Sequence, residues 1–233
     1  MGRDSFAIMR VHRLNTPVGI YEGCSCGGPR RRNTRLRAGP PPGIVNTVSG
    51  EPERWSKASV YPDMWVDPGE DPRNSAGVSP DGELATLQDY LRHYRLTLQM
   101  KCEGLDPEKL ARRSVPPSTM SLLGLLRHLA EGERAWRNWI RVGNPASKLY
   151  GARGGDYEGA AGEQALVESA FADLAREQAA TDALLAEYPD LGTRVGQDGI
   201  AVRELWVHRI EEYARHCGHA DLLRECIDGR VGQ

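Results

Sequence analysis

Apolar residues recur every three to four positions in four stretches of the chain, and each stretch predicts an amphipathic helix. The first runs from about Gly82 to Cys102, with Leu84, Leu87, Leu91, Tyr94 and Leu98 on one stripe. The second runs from about Ser121 to Ile140 and carries Leu122, Leu125, Leu126, Leu129, Trp136 and Ile140. Pro116 and Pro117 disfavour an earlier start, and Ser118 or Ser121 can cap it. The third runs from about Gly162 to Tyr188 through Leu166, Ala170, Leu174 and Leu184. The fourth runs from about Val202 to Ile227 and stops before Asp228-Gly229. Each helix is about twenty residues, or roughly 30 Å. The connections, about 18, 21 and 13 residues, are long for a minimal bundle and carry few hairpin signals. An all-α four-helix bundle is the simplest packing, though such connections leave the order of the helices open.

Before about Asp81 the pattern breaks down. AGPPPG (38–43), DPGEDPR (67–73) and SAGVSP (75–80) read as an irregular leader, with VYPDMW (60–65) able to pack against the domain. Residues 1–59 are expected to form a disordered, basic, Pro/Gly-rich extension, and residues 60–233 the bundle.

Charge sharpens that division. The first forty residues hold eight arginines against Asp4 and Glu22, a net +6, so the remainder carries -8 to reach the total of -2. RRRNTRLR (30–37) fits a basic arm for nucleic acid, or an extension upstream of a start codon placed too early. The second reading is adopted, and the near-neutral total gives no reason to expect nucleic acid or an acidic membrane as partner. No run of about 18 apolar residues is present, and the N-terminus lacks an apolar signal core, so a cytoplasmic protein is expected. Of five cysteines, Cys24 and Cys26 form a C-x-C with no second pair to complete a zinc site. An odd count without a signal favours reduced thiols.

Candidate chemistry concentrates on the fourth helix. At 100° per residue from His208, Glu212 falls at about 40°, His216 at about 80° and His219 at about 20°, the face that Leu205 and Leu223 require to be buried. Carboxylate and imidazole are costly to bury unless they pair or bind a metal. Glu212 and His216 stand at i and i+4, and a third ligand must come from another helix. His128, the only histidine of the second helix, lies in line with Ser121, Gly124, Gly132 and Ala135, small residues that would let a neighbouring helix approach closely. Two histidines and a carboxylate leave positions open for water or substrate. Spacing alone does not decide: Arg209, Glu211, Glu212 and Arg215 also fit an ion-pair network along a solvated face.

SVPPSTMSLLGLLRHLAEGERAW (114–136) and WVHRIEEYARHCGHADLLRECIDG (206–229) resemble the two signature segments of the DinB-like superfamily. They are most similar to its DUF664, or mini-circle, branch, and YPDMW and KCEGL extend the resemblance over about 60–233. The resemblance implies a four-helix bundle with a divalent metal held by His128, Glu212 and His216. Many members have histidine where this chain has Glu212; glutamate there resembles the mycothiol-dependent maleylpyruvate isomerase branch. That isomerase has a further C-terminal domain, whereas this chain ends at Gln233, so its isomerase activity is not expected here.

By the same resemblance the metal, zinc or nickel and alternatively iron or manganese, activates the sulfur of a mycothiol-like thiol for attack on an electrophilic small molecule. His219 and His208 would orient ligands or relay a proton, or else serve in helix packing. Cys217 reads as a small buried hydrophobe. Two alternatives stand beside this transferase. One is a non-catalytic metal-stabilised bundle that forms a homodimer or binds a partner, for which Trp136, Trp139 and Trp206 are large enough anchors, although core packing explains them equally well. The other is a metal-dependent hydrolase with Glu131 or Glu133 as base.

Overall fold

The computed structural model describes residues 50, 52–74, 79–141, 143 and 145–233. The arginine-rich segment, Cys24 and Cys26 lie outside the described residues. In chain order the elements are α1 (Glu83–Cys102), α2 (Pro107–Ala111), α3 (Leu122–Ile140), α4 (Gly155–Glu158) and α5 (Gln164–Leu185). They continue with β1 (Arg194–Val195), β2 (Ile200–Ala201) and α6 (Val202–Asp228). The long helices α1, α3, α5 and α6 match the four apolar stripes, and the fold is an all-α bundle. It departs from the expected one in its connections, which contain the one-turn helices α2 and α4 and an antiparallel β1–β2 hairpin.

Local chemistry sets the helix ends. The Ser121 hydroxyl accepts the Gly124 N–H at 3.1 Å and starts α3, and the Asp106 carboxylate accepts the Lys109 N–H at 2.8 Å at the start of α2. Glu204 reaches back to the Ala201 N–H at 3.3 Å, tying the end of the hairpin to the first turn of α6. Gly229, in the left-handed conformation at φ 78°, closes α6. A side chain there would also meet Glu53 O at 1.9 Å.

Among the described residues, packing against the bundle is already present well before Asp81. Trp55 N donates to Gly229 O and Val231 N to Trp55 O, both at 2.9 Å, so this segment pairs with the chain just after α6. Trp65 is buried, with the cations of Lys101 and Arg230 at 4.1 and 3.6 Å from its ring centre.

Packing is most extensive between α1 and α6 and between α3 and α5. Leu122, Leu123, Leu125, Leu126 and Leu129 of α3, Leu91 and Leu98 of α1, and Leu205 and Leu223 of α6 are buried as the stripes require. Arg209, which the ion-pair alternative placed on a solvated face, is instead fully buried. Its Nη2 meets Glu133 Oε2 at 3.1 Å and Asp182 Oδ1 at 2.7 Å, because α3 and α5 bring carboxylates to that face of α6. Trp136, Trp139 and Trp206 are core residues, so none of them presents an interface anchor at the surface. No described helix is long and apolar enough to cross a membrane.

Candidate metal centre

α3 and α6 face each other at His128, Glu212 and His216. One donor atom from each of the three lies within 4.8 Å of the others. Donors about 2.1 Å from a common ion stand roughly 3–4 Å apart, so small side-chain rotations suffice to fit this set to a divalent cation. His216 Nε2 lies 3.3 Å from Glu212 Oε2 across one turn of α6. The rings of His128 and His216 meet edge to face, with centroids 4.8 Å apart.

Each of the three has a polar neighbour. The hydrogen bond from His216 is the largest influence on Glu212 and outweighs burial, holding its carboxyl below the usual range and therefore ionised at neutral pH. His128 Nδ1 lies 2.8 Å from Asp156 Oδ2. Burial opposes charge on Asp156, but this contact and the N–H groups of Asp156 and Tyr157 prevail and lower its pKa. His216 Nδ1 lies 3.2 Å from His219 Nδ1, on the side of the ring away from Glu212. Burial, then the charge of His216, pushes the His219 pKa below its ordinary value.

The remaining expected residues fall differently. His208 packs against Trp136 with centroids 5.8 Å apart and lies 3.7 Å from Glu211, and its charge is a lesser influence lowering the Glu212 pKa. Both proposed bases already take hydrogen bonds. Glu131 accepts the Leu149 N–H at 2.8 Å, and Glu133 is buried among Arg95, Arg209 and Tyr213. The small residues of α3 admit a neighbour, but it is the ring of Tyr157 from α4 rather than a long helix. Its Cδ1 lies 2.6 Å from where a side chain on Gly124 would begin. Tyr157 also stacks on His128, with centroids 5.3 Å apart.

Sequence reasoning missed Asp156 and Tyr157. They lie in GARGGDYEG (151–159), which has no periodicity, and only the density of glycines around an acidic–aromatic pair hinted at a close approach.

The family described as mycothiol-S-transferase matches residues 86–229, well over half of the chain. That span contains all four long helices almost entire, with His128, Glu212 and His216. No curated protein and no solved structure matches the chain. The chain therefore belongs to the mycothiol-S-transferase family, a DinB-like family, as its two signature segments indicate.

Proposed function

We propose that the protein is a metal-dependent S-transferase that activates a mycothiol-like thiol for attack on an electrophilic small molecule. The observation that carries this reading is the convergence of His128, Glu212 and His216 from two helices, within the span that matches the family. A divalent cation held by these three would lower the thiol pKa from about 8.5 and leave positions open to sulfur.

The chain's own residues supply the setting. Glu212 is ionised and brings one negative charge, which suits a divalent cation and leaves net positive charge to attract a thiolate. Asp156 presents a carboxylate to the Nδ1 of His128, which leaves that Nε2 free to face inward, and His219 faces the Nδ1 of His216, whose Nε2 stands beside Glu212. In the transfer, the thiol S–H bond breaks with its proton passing to a base, and an S–C bond forms at the electrophile. Either a leaving group departs with its electron pair or, on a conjugate acceptor, a proton is added at the neighbouring carbon.

The nucleophile must come from outside the cluster. Burial pushes the Cys217 and Cys102 thiols up to about 12, so both stay protonated at neutral pH. Cys217 Sγ donates to Tyr94 O at 3.4 Å, as expected of a packing residue.

The test is thiol consumption by metal-loaded protein with mycothiol and a panel of alkylating and conjugate-acceptor electrophiles. Turnover that requires both thiol and electrophile supports the transferase. Turnover without thiol indicates hydrolysis, and bound metal without any turnover indicates a non-catalytic bundle; either result removes the proposal.

A further inference from the structure

We infer that Asp156 is a positioning residue of the metal centre, held by an Arg127 clamp so that His128 presents Nε2 to the ion. This rests on the reading of His128, Glu212 and His216 as ligands. A neutral imidazole has one N–H and one lone pair. With the Asp156 carboxylate 2.8 Å from Nδ1, the proton resides there and the lone pair is at Nε2. The carboxylate also orients the ring and makes it a stronger donor.

The connection between α3 and α5 is built around this contact. Arg127, one residue before His128 and mostly buried, points out of α3 into the loop. Its Nε donates to Asp156 O and its Nη2 to Gly155 O, both at 2.8 Å, and its guanidinium lies 4.1 Å from the Tyr150 ring centre. A side chain on Gly155 would meet Tyr150 O at 2.1 Å, and one on Gly159 would meet Arg127 Nη2 at 2.8 Å. Tyr150 is tied in turn to Asp173 of α5 at 3.0 Å. Tyr157, next to Asp156, covers a face of the His128 ring. Three consecutive residues of α4 thus serve one imidazole: Gly155 gives the clamp a carbonyl, Asp156 takes the N–H, and Tyr157 stacks.

The experiment compares full-length wild type with Asp156→Asn and Asp156→Glu. Co(II) affinity is measured by competition with a chelating dye, the ligand-field spectrum of the bound Co(II) is recorded, and apo stability is followed by circular dichroism. Asparagine keeps the size and an acceptor but removes the charge, so Co(II) affinity should fall about 10- to 100-fold with a shifted spectrum and a little-changed apo melting temperature. Glutamate should recover part of the loss. An asparagine variant that binds Co(II) within threefold of a binding wild type, with the same spectrum, overturns the inference alone. Collapse of its apo stability makes Asp156 a folding residue and overturns it too. A wild type that binds no Co(II) removes the metal-centre reading and this inference together.

Discussion

His219 Nδ1 lies 3.2 Å from His216 Nδ1, so one imidazole donates to the other. If His216 Nε2 faces the ion beside Glu212, its Nδ1 carries the proton and His219 accepts it. His219, with its pKa lowered by burial and by the neighbouring imidazole, is neutral and able to do so. Removing a partner of this kind typically costs about 10–100-fold in metal affinity. His219→Ala should therefore weaken metal binding by about tenfold without abolishing it, measured by chelator competition. Unchanged affinity would leave His219 a packing residue.

Gly124 separates two opposing effects. In the first turn of α3 alanine is favoured over glycine by less than the about 1 kcal/mol of a helix interior, and here its Cβ would stand 2.6 Å from Tyr157 Cδ1. Overpacking of that kind costs about 1–3 kcal/mol. Gly124→Ala should be neutral to destabilising in urea unfolding and should displace Tyr157 from His128, lowering metal affinity. A gain in stability with affinity intact would show that Tyr157 moves aside freely.

Glu133 is fully buried and takes hydrogen bonds from Arg95, Arg209 and Tyr213 at 3.0–3.2 Å. Removing one partner of a buried pair leaves the other charge uncompensated, at a cost of about 3–5 kcal/mol. Glu133→Ala should lose about that much stability by urea unfolding. A loss under about 1 kcal/mol would mean that Asp182 alone suffices for both arginines.

Acid should weaken the bundle through Glu177. Burial raises its pKa, but hydrogen bonds from Arg134, Arg137 and Arg176 outweigh it and bring it down to about 2. Its unfolded value is near 4.5. Between these values the unfolded chain binds the extra proton, so the contribution is full above about pH 4.5 and is lost as pH falls toward about 2. The stability gap between wild type and Glu177→Gln should be roughly 2–3 kcal/mol near neutrality and close across that window. A gap independent of pH would contradict this.

The four helices were legible because their leucines recur at the spacing that burial demands, and the caps at Ser121 and Gly229 bounded two of them. Glu212 and His216 were legible as an i, i+4 pair, and His128 chiefly through the resemblance of its segment. The hairpin was not, since two-residue strands offer too few alternating positions to register. Asp156 meets His128 across 28 residues of chain, and no periodicity links a loop residue to a helix face. The burial of Arg209 was not legible, because it depends on Glu133 and Asp182, carried by helices whose register the sequence leaves open.

The central claim is tested most directly by metal content, measured by elemental mass spectrometry on the full chain purified without a metal-affinity tag. Wild type should carry about one equivalent of divalent metal, and His128→Ala and His216→Ala should each lose it while remaining helical. A wild type empty even after incubation with zinc or nickel, or variants that keep their metal, would contradict the account.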